Sequence, residues 1–398
     1  MYPLARLPRV TVGAPTVGVV GGGQLARMMQ PAAIGLGVRL RLLAEVPDSS
    51  AAQVVAEPAV GAPDDLAALR KLAAESTVLT FDHEHVPTEH LRTLVAEGVV
   101  CRPSPDALVH AQDKAVMRAR LADIGVDCPR SELVASVRDV DDAAKRLDGY
   151  PLVLKVTRGG YDGKGVWVVE SAADAAPAFD VAGQAGAQVL AEALVPFVRE
   201  LAAVVARSPS GQTAVYPVVE SVQRDGICRE VTAPAPGIDP GLATHAQQTA
   251  LRIAGELDVT GILAVEMFET ADGRVLVNEL AMRPHNSGHW SIDGAVTSQF
   301  ENHLRAVLDL PLGSARARAP WTVMVNVLGG PDIGTGSRPY DGYPHVLAHD
   351  PDVRVHLYGK SARPGRKLGH VTTYGDDLEQ VRARARHAAD WLAGEEAP

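Results

Sequence analysis

The first apolar run, "TVGVV", stops at Gly21-Gly22-Gly23, and helix formers follow from Gln24. Gly35 and Gly37 close that helix, and "VRLRLL" resumes as a strand. A further apolar run in "STVLTFDHEHVP" extends the βαβ pattern, which predicts a parallel sheet covered by helices over residues 1–112. Beyond the helical "DKAVMRARLADIGVDCP" the texture changes. "PLVLKVT", "GVWVVE", "QVLAEALV", "ELAAVVAR" and "TAVYPVVESV" are short, closely spaced strands, which predicts a mostly antiparallel α+β region. A helix near 241–257 precedes the strand pair "GILAVEMFE" and "GRVLVNEL". The Pro-containing "LDLPLGSARARAP" marks a seam, after which "TVMVNVLG" and "VRVHLYG" read as strands and residues near 376–393 as a closing helix. The expected units are 1–112, 113–310 and 311–398.

Length and charge narrow the class. A chain of 398 residues exceeds one ordinary core. Aromatic residues are only 4%, so Val, Leu and Ala must fill the cores. A net charge of −10 argues against general nucleic-acid binding, while small anionic substrates stay open where cations gather locally. The three cysteines are scattered without metal-type spacing, no apolar run reaches membrane-spanning length, and "MYPLARLPRV" lacks the apolar core of a secretion signal. These features predict a cytoplasmic protein.

The polar chemistry is concentrated in a few places. In "AVEMFETADGRVLVNEL" a two-residue Asp272-Gly273 turn would pair Ala271 with Arg274 and bring Glu266 opposite Glu279. Carboxylates directly across a ladder lie about 4.5–5.5 Å apart at Cβ and repel unless a cation separates them. Mg²⁺ meets that need, because it binds a few carboxylates together with substrate phosphates. The stretch "KVTRGGYDGKGVWVV" joins two strands through glycines that let backbone amides approach phosphate. Lys155, inside the apolar "LVLKV", requires an anionic partner. Glu192 and Glu200 flank a connector in which Leu194 and Val195 suit an adenine. "YGKSARPGRKLGH" reverses the local charge of an acidic protein, as a phosphate-binding turn requires. "VNELAMRPHNSGHW" places Arg283, His285, Asn286 and His289 directly after a strand. "GVVGGGQLARM" partly matches a dinucleotide fingerprint, with Ala26 at the third glycine position. In "FDHEHV", strand alternation would send Asp82 and Glu84 to one side and His83 and His85 to the other.

With these motifs in hand, the sequence resembles the ATP-grasp ligases, and within them the 5-(carboxyamino)imidazole ribonucleotide synthase family of purine biosynthesis. The resemblance runs from "GGGQLARM" through "GGYDGKG" and "NELAMRPHNSGHW" to "RPGRKLGH". It implies an ATP-grasp domain (lid about 130–200) between a pre-ATP-grasp parallel-sheet domain and a small C-terminal domain. It also implies a homodimer that carboxylates 5-aminoimidazole ribonucleotide with bicarbonate, ATP and Mg²⁺.

By matching position, Lys114, Lys155 and Gly159, Gly160, Gly163, Lys164 and Gly165 are expected to hold ATP phosphates, and Arg102 to contact the nucleotide. Glu192 and Val195 correspond to the adenine side, and Glu200 to the ribose. Glu266 and Glu279 are the implied metal ligands, with Asn278 beside them. Tyr161, Asp162, Arg283, His285 and Asn286 correspond to the acceptor and bicarbonate pocket. In the implied mechanism Arg283 holds bicarbonate or carboxyphosphate and Asp162 orients or deprotonates the amine. Glu84 faces the same pocket, and Lys360, Arg366 and Lys367 receive the ribonucleotide phosphate. At Gln223 family members commonly carry histidine, and glutamine keeps a hydrogen bond but no titrating group. The alternatives are a formate-dependent glycinamide ribonucleotide transformylase of the same fold, a nicotinamide-dependent oxidoreductase built on the glycine turn, and a nucleotide sensor without catalysis.

Overall fold

A computed structural model describes residues 13–160, 163–330 and 339–394. The first unit is a four-stranded parallel sheet in which Thr16–Val20 lies between Arg39–Ala44 and Val78–Phe81, with Ala59–Val60 at the edge. The helix Gln24–Leu36 begins immediately after the glycine turn and ends at Gly37, whose left-handed backbone reverses the chain toward the next strand. This is the predicted βαβ order.

A nine-stranded antiparallel sheet forms the body of the molecule. The long strand Phe197–Arg207 is paired on one side with Gly261–Thr270 and on the other with Val219–Arg224. Alternating residues of this strand enter opposite cores. Leu201, Ala203 and Val205 pack with the helix Pro240–Glu256 and the helices of the first unit, whereas Ala202, Val204 and Ala206 pack with Tyr216 and Trp290. A smaller antiparallel sheet, with strands Ser131–Val134, Leu152–Val156, Val166–Val169 and Val189–Ala193, has its own apolar core under the helices Val140–Arg146 and Ala176–Ala185. No helix among the described residues is long and apolar enough to cross a membrane.

The last unit does not form a sheet of its own. Trp321–Leu328 pairs with Ile227–Ala233, so the seam in the sequence is bridged by continuous backbone hydrogen bonds. The basic stretch also differs from expectation. Its turn ends at Arg366, and Lys367–Gly375 is a strand between Trp321–Leu328 and Arg354–Leu357. His370, the last residue of the basic stretch, is fully buried in this strand, with Nδ1 hydrogen-bonded to the Tyr358 hydroxyl at 2.8 Å.

Candidate functional site

A cavity of about 760 Å³ opens between the two antiparallel sheets and the first unit. All three sequence units line it: Gln24 and Glu84 from the first, Lys155, Glu266 and Glu279 from the second, and Lys367 from the third. The sequence segments that looked chemically overloaded therefore face one space.

The acidic pair stands at its centre. Glu266 lies opposite Glu279 as expected, but two deviations produce that register instead of none. The turn is one residue longer than predicted, because Thr270 and Arg274 close it around Ala271, Asp272 and Gly273, with Gly273 left-handed. That alone would slip the pairing. The ladder then shifts between Glu266 and Met267, leaving Asn278 as an extra residue on the edge strand. This bulge restores the Glu266–Glu279 pairing and lets the adjacent Asn278 and Glu279 both line the cavity, which regular alternation forbids. Arg118 secures the bulge by donating to the carbonyls of Val277 and Asn278 at 3.2 and 2.8 Å.

The two glutamates sit in different fields. Burial, the Glu279 charge and the Glu200 charge push Glu266 up to about 8. Burial also opposes the Glu279 charge, yet the Lys114 ammonium at 2.8 Å, together with Lys155 and His285, holds that carboxyl below its ordinary value. A carboxylate pair that already accepts one ammonium and still disfavours its second charge is a donor set that suits a divalent cation. His285 Nε2 stands 3.6 Å from Glu266.

Lys155 has the anionic partner its position demanded. Its ammonium meets Glu192 at 2.6 Å and Asn278 Oδ1 at 2.9 Å, and Arg118 donates to the other Glu192 oxygen at 2.7 Å. Burial disfavours the Glu192 charge, but Lys155 and Arg118 prevail and keep the carboxyl ionised. With both oxygens engaged and 2% of its side chain exposed, Glu192 fixes the Lys155 ammonium in place at the cavity wall. Val195, Leu194, Phe197 and Phe268 form an apolar wall, with the two phenyl rings stacked at 4.7 Å. Glu200 lies nearby, raised by burial and partly relieved by a hydrogen bond from Gln223.

At the opposite end Arg283 Nε donates to Glu84 Oε2 at 2.8 Å, while the buried Glu84 Oε1 has no hydrogen-bond partner among the described residues. Asn286 is fixed by a reciprocal amide pair with Asn326. His289 Nδ1 is 3.0 Å from the Gln299 amide nitrogen, which leaves its buried Nε2–H directed elsewhere without a partner among the described residues.

The sequence matches three families in chain order: the ribonucleotide synthetase preATP-grasp domain over residues 14–112, the ATP-grasp domain over 119–300, and the phosphoribosylaminoimidazole carboxylase C-terminal domain over 322–384. Over 393 residues it is 56% identical to the N5-carboxyaminoimidazole ribonucleotide synthase of Mycobacterium tuberculosis H37Rv, covering 98% of this chain and 90% of that protein. The Corynebacterium ammoniagenes synthase is 48% identical, covering 98% of this chain and 94% of its own length. The chain belongs to the N5-carboxyaminoimidazole ribonucleotide synthase family. Solved relatives share the whole architecture. The Thermus thermophilus synthetase superposes with a TM-score of 0.84 at 37% identity, covering 96% of this chain and 99% of that one. The Aspergillus clavatus synthase in complex with ADP and 5-aminoimidazole ribonucleotide gives 0.85 at 31% identity, with the same coverage of 96% and 99%.

Within this synthase family fold, the cavity gathers Glu84, Lys114, Lys155, Gly159, Gly160, Gly163, Glu192, Val195, Glu200, Gln223, Glu266, Asn278, Glu279, Arg283, His285, Asn286 and Lys367. Other expected residues stand elsewhere. Arg102 is turned away and donates to the Val307 carbonyl at 2.8 Å, bracing the end of the helix Gln299–Val307. Lys164 and Gly165 belong to the same glycine turn but do not line the cavity. Lys360 does not line the cavity but meets the amide oxygen of Gln24, which does, at 2.5 Å, and Arg366 donates within its own turn to Ser361 Oγ at 2.7 Å. Tyr161 and Asp162 lie outside the described residues. "FDHEHV" does not alternate as a strand. Asp82 accepts from the amides of Gly23 and Ala26, His83 meets Glu45 at 3.0 Å, and Glu84 meets Arg283. Asp82 thereby occupies the helix N-terminus at which a dinucleotide pyrophosphate would sit. Sequence reasoning missed Arg118, Phe197 and Phe268. Phe197 lies opposite Thr270 and Phe268 opposite Glu200, so the two rings meet as diagonal neighbours across the adjoining strands.

Proposed function

We propose that this protein carboxylates 5-aminoimidazole ribonucleotide with bicarbonate at the expense of ATP, giving N5-carboxyaminoimidazole ribonucleotide, ADP and phosphate in purine biosynthesis. One observation carries the reading: the bulged Asn278–Glu279 strand end and the Arg283–Asn286 loop that follows it face the same cavity as Lys155, Glu84 and Lys367. That common wall supports a nucleotide-activating centre beside an acceptor pocket.

The purine of ATP lies against Leu194, Val195, Phe197 and Phe268, with Glu200 at the ribose. Lys155 spends two of its donors on Glu192 and Asn278 and keeps a third for a phosphate oxygen. Amides of the glycine turn share the rest of that charge. Glu266 and Glu279 would hold Mg²⁺, and the ion would supply charge neutralisation at the transferring phosphoryl group. A bicarbonate oxygen attacks the γ-phosphorus as the bond to the β–γ bridging oxygen breaks, releasing ADP. Arg283, fixed in direction by Glu84, holds the resulting carboxyphosphate, whose C–O bond then breaks to give carbon dioxide and phosphate. The exocyclic amine forms the new C–N bond and gives up a proton, for which Asp162 is the assigned acceptor. Glu84, whose buried Oε1 has no partner among the described residues, accepts a hydrogen bond from the substrate in this reading, and Lys367, which lines the same cavity, receives its phosphate. Enclosure matters because carboxyphosphate and carbon dioxide are lost to bulk water. The same family reading makes the protein a cytoplasmic homodimer.

The test is ADP release from Mg²⁺-ATP with 5-aminoimidazole ribonucleotide, with bicarbonate present or stripped out. Turnover that needs both co-substrates supports the carboxylation. Turnover that instead needs formate and glycinamide ribonucleotide would leave the fold intact and replace the acceptor.

A further inference from the structure

A second cluster of ligating side chains lies outside the reaction cavity, in the last unit. The helix Tyr343–His349 carries His345 and His349 four residues apart, on one face. His387, on the long helix Leu378–Ala393, projects between them from the other side. His345 Nε2 and His387 Nε2 are 3.2 Å apart, and one ring nitrogen from each of the three histidines falls within 4.8 Å of the others. Among the described residues this is the one group of three or more His, Cys, Asp or Glu side chains so arranged.

Two explanations compete for the geometry. A hydrogen bond between neutral imidazoles accounts for the His345–His387 contact alone. It leaves the convergence of His349, whose ring centre is 4.3 Å from that of His387, without a cause. A metal ion accounts for all three. Tetrahedral zinc with Zn–N bonds of about 2.0–2.1 Å sets its ligand nitrogens about 3.3–3.4 Å apart, close to the 3.2 Å between His345 Nε2 and His387 Nε2, with a His349 nitrogen within 4.8 Å of both. The rings are also held in place beforehand. Trp391 stacks flat on His345, with ring centres 3.6 Å apart and 13° between planes.

We propose that His345, His349 and His387 form a site for a first-row divalent transition metal of the zinc class, clipping the helix Tyr343–His349 to the helix Leu378–Ala393. Imidazole nitrogen selects such ions over magnesium, so the site is chemically distinct from the Glu266–Glu279 pair. His345 and His387 are half-buried and His349 is exposed, so an ion enters from solvent. Three protein ligands leave a fourth position for water or another donor. None of the three lines the reaction cavity, so the role is to join elements and not to take part in turnover.

Protein without a polyhistidine tag, freed of metal by a chelator, tests the proposal when titrated with Co²⁺ and then Zn²⁺. The expected result is one equivalent of Co²⁺ with the intense visible absorption of a four-coordinate ion, displaced by Zn²⁺, together with a Zn²⁺-dependent rise in Tm. His349→Ala, the exposed member, weakens binding at least about a hundredfold, beyond the effect of losing an outer-shell partner. The double variant His345→Asn/His387→Asn abolishes the absorption. Retained Mg²⁺-ATP turnover in His349→Ala shows that the variant is folded. Failure of the wild-type protein to take up Co²⁺, or unchanged uptake by both variants, would overturn the proposal and leave the imidazole hydrogen bond as the whole explanation.

Discussion

At the scale of single residues, buried polar groups decide which segments are locked together. Lys155 was legible because a lysine inside an apolar strand must find an anion. Arg118 was not, because an arginine in an amphipathic helix ordinarily reads as solvated surface, and its carbonyl partners Val277 and Asn278 are 159 and 160 residues away. Arg118→Ala strips Glu192 of one partner and leaves the bulge carbonyls unsatisfied in a place with almost no access to water. Breaking one side of a buried pair costs about 3–5 kcal/mol, and urea denaturation should read that loss together with impaired turnover. His303 offers a second test. Its Nδ1 accepts from the Ile262 amide at 3.1 Å, so Nε2 carries the proton toward Thr80 Oγ1 at 2.8 Å, and the ring joins the first sheet to the central one. Gly261 is left-handed there, and a Cβ would meet the His303 ring at 2.9 Å, so no other residue lets the imidazole approach this backbone. Burial pushes His303 down from 6.5 to about 3. The unfolded chain then binds a proton below pH 6.5 that the folded chain refuses. Stability from this residue is complete above pH 6.5 and falls as the pH drops toward 3, by at most about 1.4 kcal/mol per pH unit. Unfolding free energies at pH 7 and pH 5 should differ less in His303→Gln than in the wild type, even though the variant is less stable at both. Equal differences would remove His303 from the account.

At the scale of elements, chain geometry makes the site by departing from regularity. The Glu266–Glu279 pairing was predicted from a two-residue turn, yet it arises from a three-residue turn and a bulge whose register shifts cancel. Periodicity in the sequence registers net pairing. It does not reveal a bulge, because the evidence for one lies in Arg118 and Lys155, far away in sequence. The glycine turn was easier to read, since glycine clusters announce unusual backbone. Gly159, Gly163 and Gly165 are all left-handed, and a Cβ on Gly163 would meet Gly226 Cα at 2.9 Å. The turn thus packs backbone to backbone against the hairpin tip that follows Gln223. Gly163→Ala must open that contact. The amides proposed to bind phosphate lose their preset direction while the apolar core beneath them stays intact. The KM for ATP should rise about tenfold or more, equivalent to roughly 1.4 kcal/mol, with Tm nearly unchanged. A large fall in Tm at unchanged KM would mean that the glycine serves folding only.

At the scale of the whole molecule, the sequence seams and the mechanical seams fall in different places. The Pro-containing stretch suggested a separate C-terminal body, but the Trp321–Leu328 strand pairs with Ile227–Ala233, and Arg382 and Arg386 of the closing helix both reach Glu230 of that neighbouring strand at 2.8 and 2.7 Å. Strand order across such a distance is invisible to local pattern, since the chain gives no cue to which strands become neighbours. The small antiparallel sheet is different. Its strands pair only with one another, and its apolar residues form a closed cluster of their own. Its ties to the body include polar contacts around the cavity: Lys155 to Asn278, Glu192 to Arg118, and the Lys114 amide to the Thr157 carbonyl. A unit with an independent core and polar attachments opens by sub-global motion at lower free energy than the body that carries it. Amide hydrogen exchange should therefore be faster in Leu152–Val156 and Val189–Ala193 than in Phe197–Arg207 and Gly261–Thr270. In the proposed binding mode Mg²⁺-ATP would bridge Lys155 on the small sheet and Glu279 on the large one, and would add its binding free energy to the closed arrangement alone. Saturating nucleotide should slow exchange in the small sheet selectively and narrow the gap. Equal protection of both sheets without nucleotide, or a nucleotide effect spread evenly over the molecule, would mean that they move as one body and that some other element admits the substrates.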